Sequence, residues 1–542
     1  MKNDIPSVLS QEKKDHILAD HPSLVQRLKA HRKEHTTHAS GRDIDLKTPA
    51  WVRVSPGPAM GDGDNGYRLC IGFRNIGCKY RERDRMGLGC LNCGYYVGTA
   101  FQDVDTHTIK EQFVAGLRQA GRDNVRFNAV EFLSDGSFLN PDELGRDTQV
   151  SLFDLLSRMP RVRRILVESR PEYVEKCGLV FLLGLLRQDQ RLEVGIGFES
   201  SDEFIREVCI NKGFSNAEFE SAIAVIASLD EPYRKRVSVV AYLLVKPAFL
   251  TQRESIEDIV ASLKYLKSLE DKYRVRIAPK LEPAAIVNGT LLSLLHQDRD
   301  YPFHYEPLSY WAVLEILAKA ARDSEIRSMN IRIGAREDMD EMMTPPAIYQ
   351  ADGQIFHPFD FVAYESIQKF NQHQNFYRLF AVPGKVYRQM NGIALAGHGS
   401  SLLQWLDANG IEDSAIVAFM EENAATIEEE TTSQSTKHEI QAMTTIYAVL
   451  DIMEGYNTQA GALKVAIDEA LSKGDKTSFE LGIGECFCKA APKDIVKVSV
   501  EEMSTVEGYA EVFFDVVDLL RDEKFSIWSR FVIAWRGSAS LE

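Results

Sequence analysis

Between residues 67 and about 335 short apolar runs alternate with longer amphipathic ones, and this rhythm constrains the fold more than any other feature of the chain. YRLCIGF (67–73), VRFNAVEFL (125–133), RRILVES (163–169), LEVGIGFE (192–199), VSVVAYLLV (237–245) and VRIAPKLEP (275–283) have the length and β-branched content of buried strands. Between them, IKEQFVAGLRQAG, QVSLFDLLSRM, EYVEKCGLVFLLGLLRQ, AEFESAIAVIASL and SIEDIVASLKYLKSL carry helical periodicity. Strand–helix–strand repeats cross over right-handed and build parallel sheet. Six of them suit an open or partial (β/α)6 barrel, whose ligands sit at the C-terminal ends of the strands. The expected fold class is therefore α/β.

The 542 residues exceed what one ordinary core uses, so flanking units are expected. Residues 1–60 read as an N-terminal helical arm followed by a Gly- and Pro-rich linker, SPGPAMGDGDNG. His31, His35 and His38 crowd that arm without a carboxylate pattern, as on a solvated helix face. Residues 61–340 hold the barrel. Residues 341–542, with their acidic run EENAATIEEE and later helical stretches, read as a C-terminal α+β accessory or substrate domain. No apolar run is long enough to cross a membrane. The opening MKNDIPSVLSQEKKDH lacks the apolar core of a secretory signal, and the expected location is cytoplasmic. A net charge of −16 argues against non-specific binding to nucleic acid, without excluding a local basic groove.

Eight cysteines are too few for a disulfide scaffold, and their placement is more informative than their number. Cys78-KYRERDRMGLG-Cys90-LN-Cys93 follows the first barrel strand. Three thiolates on a glycine-containing loop can hold three corners of a cubane iron–sulfur cluster and leave the fourth iron open. The rival is a zinc site that recruits Cys70, although a position inside a strand is awkward for a closed tetrahedral knuckle. Cys70, Cys177 and Cys209 otherwise read as packing residues.

Further blocks stand at the other strand ends: SDGSFLNP (134–141), ESRPE (168–172), GIGFES (195–200), INKGF (210–214) and YLLVKP (242–247). With the cysteine loop, and in this order, they resemble radical S-adenosylmethionine (SAM) enzymes of the Elongator catalytic-subunit type. They are most similar to the archaeosine-forming branch, which modifies a 7-deazaguanine in tRNA. The resemblance spans roughly residues 67–320. It implies a radical SAM barrel in which Cys78, Cys90 and Cys93 ligate a [4Fe–4S] cluster and SAM binds the open iron. The turn at Ser134, Gly136 and Ser137 would meet the SAM amino group. Glu168 and Arg170 would reach the ribose and the methionyl carboxylate, Glu199 the ribose, and Ile286 and Val287 the adenine. An aromatic directly before the last cysteine is missing, and Tyr95 and Tyr96 follow instead as candidates for packing near adenine.

Plainer readings stand beside these. Glu168 and Arg170 suit a rim ion pair, and Lys212 and Lys246, weak catalytic candidates, suit solvated strand ends. Cys486 and Cys488 could bind metal or offer a thiol near the substrate, and equally suit two cysteines on one side of a pleat. His398 is a loop histidine. The expectation is an enzyme that takes an electron from a flavodoxin- or ferredoxin-type donor and cleaves SAM to act on a small-molecule or specialised-metabolite substrate. The alternatives are a tRNA base-modifying enzyme of the same chemistry and, below it, a non-catalytic zinc-binding module.

Overall fold

The computed structural model describes residues 7–39, 45–57, 66–100, 102–122, 126–334, 343–344, 358–393, 415–437 and 439–440. The chain forms two compact units. The first comprises Met1–Pro346, Ile367–Gln374 and Gly410–Phe419; the second comprises Ala347–Ser366, Asn375–Asn409 and Met420–Glu542. Cys486, Cys488 and His398 lie outside the described residues.

The first unit is a mixed α/β structure built on one curled half-barrel sheet. Its strands are β1 (Trp51–Pro56), β2 (Tyr67–Phe73), β3 (Phe127–Ser134), β4 (Arg164–Glu168), β5 (Arg191–Glu199), β6 (Val237–Val245) and β7 (Ile277–Pro283). A two-residue strand β8 (Ile286–Val287) pairs outside this sheet with Met343–Thr344, and β9 (Arg332–Ile333) closes the far edge of the sheet. The sheet order follows the chain, β1-β2-β3-β4-β5-β6-β7-β9. From β2 onward each neighbouring pair is parallel, and only β1 runs against β2. All six strands expected from the sequence are present. Within this sheet two strands are additions: β1 runs into the start of the stretch read as linker, and β9 is too short to leave a pattern.

Period-2 alternation sets the two faces of the sheet. On β5, Leu192, Val194, Ile196 and Phe198 are buried together, whereas Glu193, Gly195, Gly197 and Glu199 share the opposite side. That inner side is polar. Glu131 on β3 takes Arg68 of β2 at 2.9 Å and Arg164 of β4 at 2.5 Å. Glu193 takes Arg164 and Arg332 of β9, each at 2.7 Å. Burial alone would raise both carboxyl pKa values, but the flanking guanidiniums outweigh it and keep both groups ionised. Two helices on the outer side, Asn216–Ala227 and Gln252–Tyr273, start at capping boxes, in which Ser215 pairs with Glu218 and Thr251 with Glu254.

The N-terminal helix α1 (Gln11–Ala39) is not solvated all round. Ile17, Leu24 and Leu28 are buried in a cluster with Leu88, Leu91, Ile286, Leu291 and Leu295. Its Arg32 is buried as well, and His31 lies 3.3 Å from the Ser293 hydroxyl. In the second unit, the helices Phe376–Ile393 and Ala424–Glu430 pack together, joined by Lys385–Glu428 at 2.8 Å. No helix among the described residues is long and apolar enough to cross a membrane.

Candidate active site

A cavity of about 290 Å³ opens at the C-terminal ends of the barrel strands. Cys78, Cys90 and Cys93 line it together with Ser134, Glu168, Glu199 and Tyr242. Gly136, Arg170, Lys212, Tyr95 and Val287 line it too, so most residues singled out in the sequence converge on one space. Four of the described candidates are absent from the wall, among them Tyr96, whose ring lies under the Arg32 guanidinium at 5.2 Å. Ser137 turns its hydroxyl to the backbone N–H of Arg170 at 3.1 Å. Ile286 packs into the cluster under α1, because adjacent strand residues face opposite ways. Lys246 donates to the Glu306 carbonyl at 2.6 Å, and its burial lowers its pKa to about 8.

The loop that carries the cysteines is held from several sides. Arg32 of α1 donates from Nε to the Gly289 carbonyl at 2.9 Å and from Nη2 to the Cys90 carbonyl at 2.9 Å. Its Nη1 bonds the Leu88 carbonyl, and Nη2 also reaches Leu91 at 3.3 Å. Asn211 donates to the Gly89 carbonyl at 2.8 Å. The Glu143 carboxylate accepts from the backbone N–H groups of Lys79, at 2.9 Å, and Ser137, which ties the loop to the serine–glycine turn. Gly136 has a φ of 116°, and a Cβ there would strike Glu143 and approach Cys78 Cα to 3.2 Å, so the turn requires glycine. Arg32, Asn211 and Glu143 were missed in the sequence. Glu143 stands just beyond the SDGSFLNP block and could have been found, whereas nothing local marks Arg32.

The thiols suit a cluster in their donor chemistry and placement. Burial, then Glu143, Cys90 and Cys93, push Cys78 up to about 11, and burial also raises Cys90. Cys78 and Cys90 therefore hold their protons until a cationic centre replaces them. Cys70 does not join them. It lies inside the barrel with its sulfur 3.5 Å from Glu131, so the four-thiolate zinc knuckle is not assembled.

Polar strand ends form the opposite wall. Lys212 meets Glu199 at 2.6 Å, and Glu199 adopts a left-handed φ of 68°, a strained arrangement for a non-glycine residue. Burial opposes the Lys212 charge, but Glu199 and Cys90 outweigh it and keep the ammonium protonated. Arg170 spends its fork on Glu172 at 2.7 Å and on the carbonyls of Lys212 and Gly213 at 2.8 and 3.0 Å. Its guanidinium also stacks over Tyr80 at 4.1 Å, which makes it a brace for the Lys212 segment. Burial raises Glu168 to about 7, against the pull of Lys280 and a hydrogen bond from Tyr242. Both polar atoms of the Asn92 amide are buried without a partner beside the cysteines.

No family model matches the chain. The archaeosine synthase subunit beta of Thermococcus kodakarensis is 30% identical over 260 residues, which cover 48% of this chain and 74% of that relative. The chain belongs to the archaeosine synthase subunit beta family. The Methanosarcina acetivorans archaeosine synthase subunit beta is 28% identical over 298 residues, 52% of this chain and 79% of the relative. An uncharacterised protein of Methanocaldococcus jannaschii is 27% identical over 300 residues, with 55% and 75% covered. As an archaeosine synthase subunit beta family member, the chain thus matches these relatives over about half its own length. A solved radical SAM methyltransferase, TsrM of Kitasatospora setae, gives a TM-score of 0.27 at 13% identity over 42% of this chain and 38% of that one. A likeness so slight carries no argument.

Proposed function

We propose that the chain is the radical SAM subunit of an archaeosine-forming enzyme and acts on a 7-deazaguanine base in tRNA. The observation that carries the chemistry is the convergence of Cys78, Cys90 and Cys93 with Ser134, Glu168 and Glu199 on one cavity at the strand ends. The relatives' names support tRNA as substrate and, through the word subunit, a protein partner. They favour tRNA over the small-molecule substrate that the acidic composition suggested.

In this reading Cys78, Cys90 and Cys93 hold a [4Fe–4S] cluster, and the open iron is left to SAM. When bound, the cluster supplies the electron that breaks a C–S bond of SAM, delivered to it by a flavodoxin- or ferredoxin-type donor. The chain's own residues orient and shield. The Ser134–Gly136 turn brings small residues and backbone close to the SAM amino group, while Glu168 and the Glu199–Lys212 pair address its ribose and carboxylate. Arg170 positions Lys212 from behind. Val287, held beside Gly94, offers an apolar face for adenine. Tyr242, Lys280 and Glu282 remain on the inner wall to meet the base.

The test is anaerobic purification, iron and sulfide analysis, and reduction with SAM present. About four irons and four sulfides per chain, lost in Cys90→Ala, together with SAM cleavage, would support the chemistry. Conversion of 7-deazaguanine-containing tRNA in the presence of the second subunit would support the substrate. Protein that leaves SAM intact after cluster reconstitution would reject the proposal.

A further inference from the structure

Away from the cavity, the helix Leu291–Gln297 ends beside the loop 298–309, and three side chains meet there. His296, His304 and Glu306 each present one donor atom, all within 4.8 Å of one another. Hydrogen bonding fixes the Nδ1 proton of both rings. His296 Nδ1 lies 2.8 Å from the Tyr305 carbonyl, and His304 Nδ1 lies 3.0 Å from the Leu295 carbonyl. A carbonyl oxygen only accepts, so each Nδ1 must carry a proton, and Nε2 is the nitrogen left for a metal ion or a second proton. The two rings stack 18° from parallel, with centroids 5.8 Å apart. His304 Nε2 then faces Glu306 Oε1 at 2.6 Å. A gap of 2.6 Å holds a proton, so a metal ion there would replace that proton and part the two atoms.

The geometry points to a divalent zinc-type ion held by His296 Nε2, His304 Nε2 and Glu306. Imidazoles whose other nitrogen donates to a backbone carbonyl are the usual form of metal-binding histidine. Two histidines and a carboxylate complete three corners of a tetrahedron, and water takes the fourth. Tetrahedral bonds of about 2.0–2.1 Å put ligand atoms roughly 3.3 Å apart, so Glu306 must move out from His304 by under about 1 Å, and the other pairs, within 4.8 Å, close by at most about 1.5 Å. It is exposed and free to do so. The competing occupant is a proton that makes His304 an imidazolium paired with Glu306.

The ion would act as a clip. Tyr305, between two ligands, donates its hydroxyl to the Lys246 carbonyl at 2.9 Å, and Lys246 Nζ donates to the Glu306 carbonyl at 2.6 Å. The clipped helix carries Leu292 to the cavity wall, and its Leu291 N–H bonds the Leu91 carbonyl of the cysteine loop at 2.9 Å. The ion would thus fasten the loop after β6 to the helix behind the cysteines.

The test uses the full chain with its thiol loop loaded with iron and sulfide, so that zinc cannot settle on the cysteines. Zinc is titrated against a chromogenic chelator, and metal content is read by mass spectrometry. The expected result is one zinc per chain, bound about tenfold or more weakly in Glu306→Gln and lost in His296→Ala/His304→Ala, with iron unchanged. Glu306→Gln changes an exposed group and tests the ligand even if the double variant folds poorly. Zinc bound equally by wild type and Glu306→Gln, or none bound by wild type, would overturn the assignment and leave the proton as occupant.

Discussion

Glu168 lines the cavity with a carboxyl that burial makes costly to ionise. Its folded pKa, raised to about 7 by burial, exceeds the 4.5 of an ordinary glutamate. The folded state therefore holds its proton more tightly than the unfolded state does. That stabilisation is full below about pH 4.5 and is lost as pH rises through 7. Above pH 7 the ionised carboxylate faces the cavity near Glu131 and Glu282, with the Lys280 charge and the Tyr242 hydrogen bond to offset them. Glu168→Gln should therefore gain stability over wild type as pH rises from 5 to 8. The full shift corresponds to about 3 kcal/mol, and a group opening onto a cavity is expected to show about 1–2. Denaturant melts of the cluster-free protein at both pH values give the difference, and an unchanged difference would contradict the burial argument. If Glu168 touches SAM, the same variant loses SAM cleavage while gaining stability. Arg32 behaves in the opposite way. Arg32→Ala strips a buried fork from the Gly289, Leu88, Cys90 and Leu91 carbonyls, and should cost about 2–4 kcal/mol. It should also lower iron per chain after reconstitution. Arg32→Lys should recover little of either, because a point charge cannot span four carbonyls. Wild-type iron loading in Arg32→Ala would mean that the loop does not need this brace.

At the scale of elements, the barrel strands were legible because burial on both sides writes itself as unbroken apolar or alternating runs. The site was legible for a related reason: polar and small residues interrupt those runs at their C-terminal ends, as in Glu168, Gly197 and Glu199. What was hidden depends on distant partners. α1 is polar overall and contains Pro22, so the narrow stripe of Ile17, Leu24 and Leu28 did not stand out. β1 lies beside a Gly- and Pro-rich stretch that reads as linker. The inner ion ladder from Arg68 to Arg332 joins residues far apart in sequence, and no local window could pair them. The docked helix makes a direct prediction. Leu28 is fully buried, so Leu28→Ala should cost about 2–4 kcal/mol through lost burial and the cavity left behind. An arm free in solvent would show a change near zero. Urea unfolding monitored by far-UV circular dichroism separates the two, and iron loading should fall with Leu28→Ala as it does with Arg32→Ala.

For the whole molecule, a net charge of −16 is a sum, and sums conceal arrangement. Part of the positive charge never meets solvent: Arg68, Arg164 and Arg332 sit inside the barrel against Glu131 and Glu193. The sign of the total therefore neither supplies nor forbids a groove for tRNA. Salt dependence is a better one, since each neutralised phosphate releases counterions and contributes to the slope of log K against log salt. If the strand-end cavity receives a base of tRNA, the protein must touch the backbone on either side, and about four phosphate contacts would give a slope near −3 to −4. Binding measured from 50 to 200 mM salt should then weaken about a hundredfold, while SAM binding, which involves no polyanion, should change little. If the second subunit adds phosphate contacts of its own, the steep slope should emerge fully only with both subunits present. A flat response for tRNA with the subunits together would remove tRNA from the proposal. The cysteine cavity and its chemistry would stand, and a small substrate would become the reading to pursue.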